Sequence, residues 1–96
     1  MNFKFHKEAE KEFFSTIEYY ESCETGLGEK FSNYVFTTIG NILENPHTWR
    51  IFNGNIRRLN VNNFPYAILY QIVNDEIRIM AIMNTHRKPN YWKKRI

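Results

Sequence analysis

The sequence predicts an α+β domain of order β-α-α-β-β-β, an antiparallel sheet covered on one face by an antiparallel helical hairpin, with a short C-terminal tail. Three observations predict it. Two stretches of the first half repeat apolar residues at helical spacing, and the second half carries runs with strand character. The two strongest of those runs are separated by a two-residue polar break, which makes them neighbours in an antiparallel hairpin.

Residues 2–5 alternate, with Phe3 and Phe5 on one face, and suffice for a short edge strand. From His6 to Ser22 the period becomes helical. Ala9, Phe13, Ile17 and Tyr20 form a stripe joined by Phe14, while Glu8, Lys11, Glu12, Glu18 and Glu21 fill the rest as a solvated acidic face. Glu8, Glu10 and Glu12 sit where the helix dipole favours negative charge. Gly26 is placed as a left-handed cap after this helix. A second helix follows over Glu29–Glu44, with Phe31, Tyr34, Val35, Thr38, Ile39, Ile42 and Leu43 as its stripe, and Asn45-Pro46 stops it. Gly40, costly inside a helix, is the candidate point of close helix–helix approach.

Trp49 to Phe52 is apolar apart from Arg50, and Asn53-Gly54-Asn55 is a turn signal. Residues 56–61 alternate: Arg57, Leu59 and Val61 face one way, Ile56, Arg58 and Asn60 the other. After a turn at Asn62-Asn63-Phe64-Pro65, Tyr66–Val73 reads as a strand buried on both faces. Asn74-Asp75 tolerates the left-handed conformation of a tight turn. Glu76–Met83 returns as the second strand, placing Ile77, Ile79, Ala81 and Met83 on one face and Arg78, Met80 and Ile82 on the other. The segment from Asn84 to Trp92 is basic and aromatic, and Lys93-Lys94-Arg95 closes the chain on a short helix packed by Tyr91 or Trp92.

At 96 residues, 43% hydrophobic and 17% aromatic, the chain suits one compact domain spanning residues 1–96. Its net charge of +3 hides a split: residues 1–48 carry −4 and residues 49–96 carry +7. The basic half points to a negative partner: a nucleic acid, a nucleic-acid machine or an acidic protein segment. Cys23 is the sole cysteine, which fits a reducing cytoplasm and excludes an internal disulfide. No apolar run approaches the roughly 20 residues that span a membrane.

Several chemistries find no support. His6, His47, His86 and Cys23 lack metal-ligand spacing, so no metal or other cofactor is implied. The glycines match no phosphate-cradling loop, and the serines lie on or near helices rather than at a strand-to-helix elbow. Arg58, His86, Arg87, Lys88 and Tyr91 remain. Guanidinium groups can clamp a phosphate and stabilise developing charge, and histidine or tyrosine can move protons. These residue types suit metal-free cleavage of RNA through its own 2′-hydroxyl. A basic tail after a strand is more often a solvated end or a protein-binding patch, with Tyr91 and Trp92 as packing anchors.

The order of elements, the hairpin FPYAILYQIVNDEIRIMAIMNTHR and the ending HRKPNYWKKR resemble the RelE/ParE superfamily of type II toxins. The resemblance spans nearly the whole chain and is best in residues 55–95, and the phrase from Phe64-Pro65-Tyr66 to Tyr91-Trp92 is most similar to ParE-like, plasmid-stabilisation members. It implies a growth-inhibiting toxin neutralised by a cognate antitoxin within a hetero-oligomer. ParE-like relatives poison DNA gyrase; RelE-like relatives cut messenger RNA on the ribosome. The RelE pattern carries over only in part. Arg58 matches a basic strand residue, while Asn60 replaces a lysine. Ala67 replaces an important arginine, and Arg87 and Tyr91 match the C-terminal arginine and tyrosine with an altered gap. The resemblance therefore implies the ParE-like activity, with Arg58, His86, Arg87, Lys93, Lys94 and Arg95 as target contacts. The alternative is a RelE-like endoribonuclease with Arg58, His86, Arg87 and Tyr91 as catalytic residues.

Overall fold

The computed structural model describes residues 1–88 and 90–96, so Pro89 of the basic segment lies outside the described residues. Strand β1 (Asn2–Phe5) leads into helices α1 (Lys7–Cys23) and α2 (Leu27–Glu44), followed by strands β2 (Ile51–Asn53), β3 (Ile56–Asn60), β4 (Tyr66–Val73) and β5 (Glu76–Asn84). A 3₁₀ turn at Lys93–Arg95 ends the chain. The five strands form one sheet in the order β1-β5-β4-β3-β2.

Local chemistry sets the elements. The His6 side chain accepts the Glu8 N–H at 3.0 Å and caps α1. The Glu21 carboxylate accepts the N–H groups of Gly26 (2.9 Å) and Gly28 (3.0 Å), which places an anion at the start of α2. Gly26 is left-handed as expected, with φ +88°. The close approach of the helices, however, falls at Gly28 and not at Gly40. A Cβ on Gly28 would stand 2.6 Å from the Ile17 carbonyl oxygen, whereas one on Gly40 meets nothing within 4 Å. Asn74 and Asp75 take φ of 51° and 61°, the pair of left-handed residues that a two-residue hairpin requires.

Three features depart from the sequence reading. The apolar stretch before Gly54 contains an additional edge strand, β2, folded back on β3 through the Gly54-Asn55 turn. The sheet is antiparallel except at β1, which pairs parallel with β5, Asn2 opposite Glu76 through Phe5 opposite Ile79. These two strands are joined across the helical hairpin and three strands, so no turn forces them to oppose. Finally, Leu69 faces Ala81 while Tyr70 faces Ile79, leaving Met80 as the extra residue of a β-bulge. The bulge reverses the alternation. Ile77, Ile79 and Ile82 pack toward the helices, whereas Met80, Ala81 and Met83 pack on the other side.

The sheet thus separates two apolar clusters. On the helix side Ala9, Phe13, Phe31, Val35, Ile39 and Ile42 meet Ile68, Tyr70, Ile77, Ile79 and Ile82. Leu59 and Val61 join them, confirming the predicted facing of β3. The Tyr70 hydroxyl donates to the Pro46 carbonyl at 2.7 Å, and Arg57 donates to the carbonyls of His47 (3.0 Å) and Trp49 (2.8 Å), tying the segment between α2 and β2 to the sheet. On the far side Ile56, Ala67, Leu69, Met80, Ala81 and Met83 are covered by Trp92 from the tail.

Candidate target-binding site

Beyond Thr85, whose N–H bonds the Pro65 carbonyl at 2.9 Å, the chain leaves the sheet. The N–H groups of Arg87, Lys93 and Arg95 bond to Asn84, Asn90 and Trp92 carbonyls, which curls the segment locally. Trp92, only 1% exposed, inserts into the far-side cluster. Burying so large a side chain docks the tail across the sheet.

Polar contacts complete the docking. β1 reaches only as far as Ile79 of β5, so beyond that point the same edge of β5 has no strand beside it. Glu12 of α1 and Arg95 of the tail cover it instead. The Ile82 N–H donates to Glu12 Oε1 at 3.1 Å, and Arg95 Nη1 donates to the Met80 carbonyl at 3.0 Å. The two side chains also form a bidentate pair, with Nη1 to Oε1 and Nη2 to Oε2 both at 2.8 Å. Their side chains are 16% and 13% exposed, so water screens this pair far less than a surface one. The Glu12 hydrogen bond and charge push the Arg95 pKa up, against the opposing effect of burial.

The Tyr91 ring lies against two guanidinium groups. The Arg95 carbon centre is 5.0 Å and that of Arg87 3.9 Å from its centroid. The Tyr91 hydroxyl is sealed from solvent and has no hydrogen-bond partner among the described residues. Burial first, then the Glu12 charge, raises its pKa well above that of a free tyrosine, so it stays protonated at neutral pH. A cavity of about 640 Å³ opens between α1, the end of β5 and the tail, lined by Lys11, Glu12, Ser15, Asn84, Arg87, Tyr91, Lys94 and Arg95 among others.

The structure therefore brings Arg87, Tyr91, Lys94 and Arg95 to one cavity and leaves Arg58, His86 and Lys93 outside its lining. Arg58 stands on β3, separated from β5 by β4 and so about 10 Å away across the sheet. Its Nε donates to Asn60 Oδ1 at 3.2 Å and its guanidinium lies 5.4 Å from the Phe52 centroid. His86 is exposed, its N–H bonded to Asn84 Oδ1 at 2.9 Å. Lys88 and Lys93 are exposed. Arg95, expected as a contact residue, is held inward by Glu12. Glu12 in turn does not belong to the solvated acidic face on which its sequence places it. A signal existed: it precedes the stripe residue Phe13 and lies one helical turn before Thr16, which is buried.

A family model described as the ParE toxin of type II toxin–antitoxin system, parDE, matches residues 3–89. The match stops before Tyr91, Lys94 and Arg95. Among solved structures, the fold is similar to a chain of the chromosomal ParDE TA system from P. aeruginosa, with a TM-score of 0.73 at 17% identity over 88% of this chain and 95% of that one. Among curated proteins, none matches this sequence.

Proposed function

Since this chain belongs to the ParE toxin family of type II toxin–antitoxin systems, we propose that it arrests growth by binding and poisoning DNA gyrase in the cytoplasm, and that a cognate antitoxin neutralises it. The observation that carries the gyrase reading is Ala67. At this position the RelE-like pattern calls for an arginine projecting from the sheet toward a phosphate. Here the residue is an alanine, 0% exposed and buried in the same cluster as Trp92. A phosphate has neither a charge to meet there nor a route to it. Tyr91 adds support: a hydroxyl held protonated and sealed from solvent is poorly placed to accept or relay a proton at neutral pH. What the basic end offers instead is binding, through Arg87, Lys93 and Lys94, with Arg58 and His86 flanking.

Purified protein titrated into gyrase and relaxed plasmid is expected to block supercoiling and trap cleaved DNA; full supercoiling at saturating protein removes this reading. The second reading, a ribosome-dependent endoribonuclease, draws on the stacking of Arg87 on Tyr91 beside an open cavity. It requires new cuts in translated messages, lost in Arg87→Ala, and intact messages during growth arrest exclude it.

For the antitoxin, the supporting feature is the outer face of the helical hairpin. Phe14 and Phe36, 55% and 48% exposed, both stand 5.5 Å from the Phe13 ring, forming an aromatic patch with no cover among the described residues. An antitoxin segment seated over this patch and the basic face forms the hetero-oligomer. Co-purification with a partner encoded beside the toxin is the expected outcome, weakened by Phe14→Ser with Phe36→Ser; undiminished capture by that variant moves the interface elsewhere.

A further inference from the structure

We propose that Glu12 is a positioning residue for target binding: from helix α1 it clamps the C-terminal strap, residues 90–96, and thereby sets the pose of Arg87. The proposal rests on the reading that the basic end of the molecule meets the target, and it assigns to an acidic helix residue a part in that contact.

The contacts form a chain. The Glu12 carboxylate holds both arms of Arg95 at 2.8 Å. The Arg95 guanidinium lies 5.0 Å from the centre of the Tyr91 ring, and the same ring carries Arg87 at 3.9 Å. Arg87 is exposed, so its guanidinium keeps this pose through the Tyr91 ring, and the ring stays in place only while the strap is docked. The N–H groups of Lys93 and Arg95 are satisfied within the strap and that of Arg87 by the Asn84 carbonyl, so none of these three ties the strap to α1. Arg95, by contrast, reaches back to α1 and to the Met80 carbonyl on the bulged strand.

Charge gives the clamp its second role. Of the two acids lining the cavity, Glu8 is engaged by Lys11 at 3.7 Å and Glu12 by Arg95. Without Glu12, Arg87, Lys94 and Arg95 would share one cavity with only Glu8, itself engaged by Lys11, to offset their charge, and mutual repulsion would loosen the strap. A largely buried ion pair is weak evidence for stability, since an apolar pair of similar volume often serves as well. It does fix a geometry, because a bidentate carboxylate–guanidinium pair admits one orientation. A clamp joining residues 12 and 95 suits the display of a cation better than the holding of a core that the helix side already supplies.

The test uses the full chain in a Trp49→Phe background, so that Trp92 alone reports on the strap. Glu12→Gln is expected to shift Trp92 emission to the red and to raise the induced dose needed for growth arrest at least tenfold, while far-UV circular dichroism stays that of the parent. Arg95→Lys, which keeps one charged contact, should fall between the two on both readouts. Growth arrest at the parental dose despite a red-shifted Trp92 overturns the proposal, as does unmoved emission in Glu12→Gln. Should Glu12→Gln fail to fold, Arg95→Lys decides by the same two readouts. Gyrase supercoiling with the unsubstituted protein is read separately. A protein that arrests growth and leaves gyrase untouched removes the gyrase reading, whereas the strap inference still stands or falls on emission and dose.

Discussion

The two faces of the sheet are built to different standards. The helix-side face is closed by two long helices, and its core interlocks large rings: Phe31 alone neighbours Phe13, Tyr20, Phe64 and Tyr66 at centroid distances of 5.1 to 6.3 Å. The far face is closed by a short segment that supplies Trp92 as its buried anchor, Tyr91 packed beside it and the Arg95 side of an ion pair. Stability is thus concentrated on one side, and the side bearing the basic residues is held by few, separable contacts. A binding surface assembled this way can change without threatening the fold, as expected of function carried on loops over a rigid scaffold.

Four substitutions sharpen or break this contrast, in falling order of their effect on stability. Phe31→Ala empties the centre of the aromatic core and should cost about 4 kcal/mol in urea denaturation, most of the roughly 5 kcal/mol that a domain at the low end of natural stability holds. Trp92→Ala should cost less, about 3 kcal/mol, because its cavity opens toward solvent and the strap can collapse over it. Equal losses for the two would erase the asymmetry.

The third effect is read through pH. Burial pushes the Tyr70 hydroxyl up to about 12 from the ordinary 10. Unfolded chains therefore lose this proton first, so the stability tied to it is complete below pH 10 and drains away as pH climbs to 12. The full loss is on the order of 3 kcal/mol, at 1.36 kcal/mol per unit. Tyr91, raised further, extends the decline beyond that window. Tyr70→Phe should forfeit about 1 kcal/mol at pH 7 with its bond to Pro46, and flatten the alkaline decline when melts are compared at pH 9 and 11. The smallest change in stability belongs to Arg87→Ala, within about 0.5 kcal/mol by thermal melting because the side chain is exposed. Its effect on growth arrest should nonetheless be the largest of the four at equal folded protein.

Much of the helix side was legible in the sequence. Both helices, the Asn74-Asp75 turn and the facing of β3 follow from periodicity and turn chemistry, which act over a few residues. What escaped depends on partners distant in the chain. The bulge at Met80 carries no glycine or proline to announce it, yet it moves Ala81 and Met83 to the opposite face. The pairing of β1 with β5 joins the two ends of the fold, and β2 is three residues long, too short for alternation to register. At the site, Arg87 and Tyr91 were legible as a basic, aromatic ending. Glu12 was legible only through its place before Phe13 and one turn before Thr16, since its exposure also depends on where the tail lands. The separation of Arg58 and His86 from the cavity was not legible, because the strand order and the curl after Asn84 decide it.

The proposed function has Arg87 and Lys94, displayed by the docked tail, engage gyrase. The most direct measurement is a supercoiling titration comparing the unsubstituted protein with an Arg87→Ala, Lys94→Ala double variant shown to melt at the same temperature. Strong inhibition by the first and at least a tenfold weaker effect from the second are expected. Equal potency of the two proteins, or undisturbed supercoiling with both, would contradict that function.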